Sequence, residues 1–338
     1  MPKHMPEIEA RGGEAEGQPG NPAPAAEELP LATFALFTYN QEEYVREAVE
    51  GALAQDYPNL EIIISDDAST DGTWDAIGEI TSNYTGPHKI HLNRNTKNAG
   101  WIAHINHVNT LVSADYVVFA AGDDISRCDR VTQCMGSFKK SQRIRAVFAD
   151  IARVDTKGLE IQNNKCIWPN GSPVSLESIM LGAGGVGIGA SYAYKKECFD
   201  WPWAIPLTLI SEDKILPLRA FLLGGISHIP EPLVKYRTSE TSLTNHLFSA
   251  GLRPGGRMDH LAELRRTLEH ANATGKISSY ELKCSLDILK GLPVTNYVDN
   301  VTRKWAHPTR KVALFLTGNL VNWRTIHRRV LKKIYGLF

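Results

Sequence analysis

Three pairs of adjacent acids mark this chain as a candidate for chemistry: Asp66-Asp67, Asp123-Asp124 and Glu212-Asp213. Neighbouring carboxylates repel and raise each other's pKa, so a site that keeps both ionised usually holds a cation. A carboxylate placed away from that cation is instead suited to take a proton from an incoming nucleophile. Two of the pairs also have a plainer reading. Gly122-Asp123-Asp124 has the composition of a solvated turn. Glu212-Asp213 opens a helical stripe, where acids suit the positive end of the helix dipole.

The flanking residues decide where these acids stand. Residues 116–121, YVVFAA, form an unbroken apolar run, as in a strand buried on both faces. Gly122 then lets the backbone turn, and the two Asp residues follow. LEIIIS (60–65) is a second such run and ends in Asp66-Asp67. In an open α/β sheet, ligands bind beyond the carboxyl ends of strands. Acids at that edge twice over weigh against the turn reading.

The rest of the N-terminal half fits the same plan. LATFALF (31–37) reads as a first strand, and Asn40 with Glu43 has the spacing of a capping box. A helix follows with Val45, Ala48, Val49, Ala52 and Leu53 on one face, and Asp56-Tyr57-Pro58-Asn59 stops it. A second helix is expected from about Thr73 to Tyr84, a short strand at 89–92 and a third helix from about Ala99 to Val112. The order βαβαβαβ predicts a doubly wound, mostly parallel, Rossmann-like α/β sheet.

Beyond residue 125 the pattern changes. Residues 145–151 read as a strand, 160–185 as a loop-rich stretch, and 189–194 as a half-buried strand. Ile215, Leu218, Phe221 and Leu222 form a helical stripe with Glu212-Asp213 in its first turn. From about Leu247 onward only helical periods remain. The expected organisation is a disordered tail at 1–30, rich in Glu, Pro and Gly, an α/β domain at 31–246, and a basic helical extension at 247–338.

Composition narrows the function. The 338 residues carry 37 Lys+Arg against 37 Asp+Glu, so there is no basic excess to indicate nucleic acid. The five cysteines (128, 134, 166, 198 and 284) form no CxxC pair, which points to free thiols in a reducing, cytoplasmic compartment and away from zinc. No apolar signal segment opens the chain, and no apolar run reaches the roughly 20 residues of a membrane-spanning helix. Residues 300–338 contain no acid but nine Lys and Arg, including Arg303, Arg310, Arg324 and Lys333. Val312, Phe315, Leu316, Leu320 and Trp323 give that segment an apolar face. It suits peripheral contact with the inner, anionic face of a membrane or packing onto the main domain.

Several motifs imitate other sites. Asp67, Ser69, Asp71 and Gly72 copy the start of an EF-hand loop, but its twelfth position is Gly78. Thr70-Asp71-Gly72-Thr73 lacks the nucleophilic Asp that an aspartyl-phosphate motif needs, since Ser69 stands there. Residues 182–187, GAGGVG, match GxGxxG but follow a helical pattern rather than a strand. His104 and His107 lie one helical turn apart with no third ligand, so they are expected on the surface.

FALFTYNQEEYVREAVEGALAQDYPNLEIIISDDASTDGT (34–73) resembles the opening of the family 2 glycosyltransferases, the GT-A group that uses nucleotide-sugar donors. The resemblance continues through RNTKNAGWIAHIN (94–106), YVVFAAGDDIS (116–126) and SEDKILPLRAFLLGGISHIPEPLVKYRTSETSLTN (211–245), in the family's order and spacing. It implies a GT-A fold and a nucleoside pocket lined by Thr38, Tyr39 and Asp67, with Asp67 accepting from the base and Asp66 supporting its loop. Asn98 and Gly100 would contact the donor. Asp123 matches the metal-binding acid of the family's DxD motif, with Asp124 beside it, and the cofactor implied is manganese or magnesium. Asp213 would be the general base, with Glu212 orienting the acceptor or holding the loop. The implied reaction is inverting transfer from a UDP- or dTDP-sugar to a hydroxyl of a saccharide or lipid-linked acceptor.

Three positions depart from the family's pattern. Ala121 replaces an acid, Ile105 replaces a basic residue, and Thr238-Ser239 ends the YRxH motif without its His. A nucleotide-sugar-binding domain without turnover therefore stays open as an alternative, and a nucleotidyltransferase shares the same needs. The latter normally carries a Gly-rich, basic phosphate loop, and FTYNQEE has neither Gly nor Lys.

Overall fold

Alternation of side chains along buried strands builds this fold. In β1 (Ala32–Thr38), Ala32, Phe34 and Leu36 enter one apolar layer while Ala35 and Phe37 enter the other. β2 (Leu60–Asp66) divides Ile62 and Ile64 from Ile63 in the same way, and β4 (Tyr116–Ala121) divides Val118 and Ala120 from Val117 and Phe119. Such strands are stable only when both faces are covered. Helices α1 (Val45–Leu53), α2 (Thr73–Ser82) and α4 (Arg130–Lys140) lie on one side; α3 (Trp101–Leu111) and α6 (Ile215–Leu223) lie on the other.

The computed structural model describes residues 29–161, 174–181, 187–209, 211–238 and 254–290. The remaining strands are β3 (Lys89–Arg94), β5 (Ile125–Ser126), β6 (Ala146–Val154), β7 (Tyr192–Lys195) and β8 (Ile226–Arg237). They form one eight-stranded sheet in the order β3-β2-β1-β4-β7-β6-β8-β5. β3, β2, β1 and β4 run parallel, β7 is antiparallel to both its neighbours, and β6 and β8 are again parallel. A short helix α5 (Leu176–Leu181) and a long helix α7 (Pro254–Ala273) complete the named elements. Leu264, Leu268 and Ala271 of α7 enter the same apolar cluster as Ile215, Leu218 and Leu222 of α6.

Local expectations needed correcting at three places. Asn40 does not cap α1; it takes a left-handed conformation (φ 50°), its Oδ1 accepts from the Thr70 amide at 2.9 Å, and the helix starts five residues later, at Val45, behind a turn. Residues 189–191 form a 3-10 turn that leads into β7. His104 is buried, with Nε2 2.6 Å from Ser65 Oγ, whereas His107 is exposed. The expectations for the tail through residue 28, for Cys166, for residues 182–186 of the glycine motif and for the basic segment 300–338 lie outside the described residues.

Candidate active site

Because β1, β2 and β4 are parallel and adjacent, their carboxyl ends share one edge of the sheet. Asp66, the last residue of β2, is fully buried and braces that edge. Its carboxylate accepts from Thr38 Oγ1 (3.1 Å), Ser69 Oγ (2.5 Å) and the Ser69 amide (2.9 Å), and Arg94 Nε lies 3.4 Å away. Thr38 is therefore spent on Asp66 rather than turned to a ligand.

Asp67, 3% exposed, is a cradle of another kind. Its Oδ1 accepts from Asn95 Nδ2 (2.7 Å) and the Ala99 amide (2.9 Å), which fills both lone pairs. Among the described residues its Oδ2 accepts only the Gly100 amide, at 3.0 Å, which leaves one lone pair for a ligand N–H. The residues around it are shaped for this. Ala68 adopts a left-handed conformation (φ 60°) that costs an alanine on the order of 1 kcal/mol. Gly100 adopts φ 84°, and its amide is shared with Asn98 Oδ1 at 2.9 Å. Asn98 is exposed and aligns that turn. Tyr39, 43% exposed at the end of β1, offers an aromatic face at the same edge.

The end of β4 turns against β1. The Gly122 amide donates to Phe37 O at 2.8 Å, and a Cβ there would lie 2.7 Å from Thr38 Cγ2 and 2.4 Å from Gln41 Oε1. Only glycine fits this close approach. Asp124 is buried, and its Oδ1 accepts the Arg237 amide at 2.8 Å while its Oδ2 has no hydrogen-bond partner among the described residues. Asp123 is partly open, and its backbone oxygen accepts from Arg237 Nε at 2.9 Å. Burial raises both carboxyls, that of Asp124 well above the ordinary range, with Asp123 adding to the shift.

The third pair stands just outside α6. Its expected place in the first turn of that helix is corrected here: the helix begins at Ile215, and Glu212 and Asp213 form the preceding turn. Glu212 is 1% exposed, and its Oε2 accepts from Trp101 Nε1 at 2.5 Å. Burial, followed by the nearby Asp213, pushes it up to about 8, so it holds a proton at neutral pH. Asp213 accepts from Glu212 and from the Gly189 amide. It is exposed to solvent, yet desolvation by the protein around it is the largest influence raising its carboxyl. The proton on Glu212 leaves Asp213 as the ionised member of the pair.

These three stations are connected. Asp67 holds Gly100, the neighbouring Trp101 holds Glu212, and Asp213 holds Gly189. Arg130, fully buried, closes the circuit by donating to Phe119 O (2.6 Å) on β4, Ala190 O (2.7 Å) and Ser126 Oγ (2.9 Å). Trp101, Arg130, Gly189, Arg237 and His260 were not singled out from sequence. The imidazole of His260 reaches Ser211 O at 3.1 Å from α7.

The family assignment follows from comparison with known proteins. The glycosyl transferase family 2 profile matches residues 33–200. Those residues belong to that family. The matched segment contains all but the first residue of β1 and the strands through β7, and therefore the Asp67 and Asp123 stations. EpsE of Bacillus subtilis, described as a glycosyltransferase, is 30% identical over 130 residues, covering 38% of this chain and 46% of EpsE. An uncharacterized glycosyltransferase of Haemophilus influenzae is 26% identical over 242 residues, covering 65% of this chain and 70% of that protein. Residues 1–349 of Staphylococcus aureus TarS, solved with UDP-GlcNAc, superpose with a TM-score of 0.61 at 16% identity over 83% of this chain and 77% of that one. That likeness establishes the GT-A fold.

A divalent cation is compatible with the acids at the end of β4. One buried carboxylate oxygen is orphaned and the neighbouring carboxylate reaches solvent, a donor set that magnesium or manganese completes with water and phosphate oxygens. Among the described residues no group of three or more His, Cys, Asp or Glu is arranged to hold a metal without such outside ligands. Among the described residues, likewise, no helix is long and apolar enough to cross a membrane.

Proposed function

We propose that this glycosyltransferase is a metal-dependent, inverting enzyme that moves a sugar from a UDP- or dTDP-sugar to a hydroxyl of a saccharide or lipid-linked acceptor, in polysaccharide or other glycoconjugate synthesis. The observation that carries this reading is the chain of contacts joining three acidic stations at one sheet edge: Asp67, the Asp123-Asp124 turn, and Glu212-Asp213.

The roles divide by environment. The open lone pair of Asp67 Oδ2 suits the imide N–H of a pyrimidine base, and exposed Tyr39 suits stacking on its ring. Magnesium or manganese bound through Asp123, with Asp124 behind it, would act as a Lewis acid toward the departing diphosphate. Asp124 anchors the turn through Arg237 and presents Asp123 outward. Asp213, ionised and accessible, takes the proton of the acceptor hydroxyl at its carboxylate oxygen. Protonated Glu212 donates to Asp213 and keeps it oriented. A base set on the acceptor side, opposite the leaving group, favours in-line displacement and hence inversion.

The test is a binding and turnover screen of UDP-, dTDP- and GDP-sugars with and without manganese, on wild type, Asp123→Ala and Asp213→Ala. Asp123→Ala is expected to remove metal-dependent donor binding. Asp213→Ala is expected to keep binding and lose transfer by at least roughly 100-fold. Donor binding without release of nucleotide by the wild-type protein in the presence of candidate acceptors would favour a silent sugar-nucleotide-binding domain.

A further inference from the structure

Trp101 sits where the donor cradle and the base meet. It is the first residue of α3, directly after Gly100, whose amide donates to Asp67 Oδ2. Its indole packs edge-on against Phe37 with ring centroids 5.2 Å apart, and Nε1 reaches Glu212 Oε2 at 2.5 Å across 111 residues of chain. An indole N–H only donates, so the oxygen it touches must accept. The other oxygen, Glu212 Oε1, lies 2.4 Å from the vacant Cβ position of Gly189, and Asp213 Oδ1 lies 2.6 Å from the same point. Both oxygens line the same small space, and the two carboxyls share a side-chain hydrogen bond, for which Oε1 is the Glu212 oxygen that the indole leaves free.

We propose that Trp101 is a positioning residue for the base: by occupying Oε2 of Glu212 it directs the carboxyl proton through Oε1 to Asp213, and it ties this pair to the cradle at Asp67. This deepens the function proposed above and rests on that reading for the role of Asp213. Glu212 is nearly inaccessible to water, so no solvent donor can take the indole's place. The other titratable groups facing the pair are Lys214 on the same loop, Tyr192 and Tyr194 from β7, and His260 from α7. Among the described residues, the side-chain donor to Oε2 is the indole of Trp101.

The test reads the indole itself in the full chain, by proton–nitrogen NMR of tryptophan-labelled protein. The Trp101 resonance is identified by its loss in Trp101→Phe. It is expected to shift with pH along one step centred near 8, where Glu212 gives up its proton, and to stay flat in Glu212→Gln. With UDP-GlcNAc as the donor probe, Trp101→Phe is expected to lower kcat roughly 10- to 100-fold and to move the acid limb of the pH profile, with KM changed by less than about threefold. A wild-type indole that stays flat from pH 5 to 10 overturns the proposal, as does a Trp101→Phe enzyme with wild-type kcat and pH profile. Addition of UDP separates the two readings. UDP-induced shifts together with a flat Trp101 curve overturn the role of Trp101 alone. No response to UDP or to any donor overturns the donor reading beneath it.

Discussion

Replacing Glu212 by Gln should uncouple stability from pH in a direction the structure fixes. Burial and Asp213 push this carboxyl from its ordinary value of 4.5 up to about 8. Below pH 4.5 the folded and unfolded chains both carry the proton. Between 4.5 and about 8 the folded chain keeps it while the unfolded chain loses it, so stability falls as pH rises. Above about 8 the loss is complete. At about 1.4 kcal/mol per pH unit the full effect is bounded near roughly 5 kcal/mol, and relaxation of the site reduces the expected loss to about 2–3 kcal/mol. Glutamine reproduces the protonated acid, since its carbonyl still accepts from Trp101 and its amide still donates to Asp213. Urea unfolding at pH 5.5 should therefore give similar stabilities for wild type and Glu212→Gln, and at pH 8.5 the variant should be the more stable. Turnover at pH 6.5 should survive within about fivefold, because Asp213, the proposed base, remains the ionised member of the pair. A constant difference in stability across that range, or a variant weaker at both ends, would refute the placement of the proton.

Gly189→Ala should disable the base without emptying the donor pocket. The added Cβ falls 2.4 Å from Glu212 Oε1 and 2.6 Å from Asp213 Oδ1, and Trp101 leaves Glu212 little room to retreat. We expect turnover to drop by more than roughly 100-fold and stability by about 1–3 kcal/mol, with UDP binding retained; unchanged turnover would show that the acids lie elsewhere in solution. Arg237→Lys should loosen the Asp123-Asp124 turn, because a lysine cannot replace contacts to Asp123 O, Thr156 O (2.9 Å) and Glu47 Oε2 (2.5 Å) together. A stability loss of about 2–4 kcal/mol and weakened manganese-dependent donor binding are expected by calorimetry. Wild-type behaviour in both would refute that anchor.

The strands and acids were legible because they obey local rules. β1, β2 and β4 are apolar runs of strand length, each broken by polar residues, and the parallel order of their crossovers puts Asp66-Asp67 and Asp123-Asp124 at one edge. What stayed hidden depends on contacts distant in sequence. Asn40 has a good capping composition, but it is used to bind the Thr70 amide thirty residues away. His104 carried a readable signal: it stands three residues after Trp101 and four before Val108, on the face that includes buried Ile105 and Val108. Burial pushes it down to about 4, so it is a neutral partner of Ser65 rather than a surface ligand. Glu212 and Asp213 were identified as a pair, but nothing local shows that one is sealed against an indole 111 residues earlier while the other faces solvent.

The least legible residues are the three largest fully buried side chains, all of them arginines: Arg130, Arg219 and Arg237. Arg219 lies within the apolar stretch ILPLRAFLL, whereas Arg130 and Arg237 have polar neighbours in sequence; in all three, pattern alone sends the charge to the surface. Their partners explain why they are inside. Arg237 spans Asp123 O, Thr156 O and Glu47, Arg219 bonds Glu263 of α7 at 3.3 Å, and Arg130 joins carbonyls of β4 and the 189–191 turn. A strand end or loop cannot satisfy its carbonyls through a sheet ladder, and at this edge water is partly excluded. A planar guanidinium with five donors meets several such carbonyls at once. Burying the cation is costly, and burial lowers both Arg130 and Arg219 to about 10. Even so, both remain charged at neutral pH, and Arg130 also offsets the buried Asp124 carboxyl. One residue thus supports the acid turn of β4 and the turn that holds Asp213. The spacing between the Asp123-Asp124 turn and the Glu212-Asp213 pair, the acids proposed to hold the cation and to act as base, therefore depends on this internal strut and not on either loop alone.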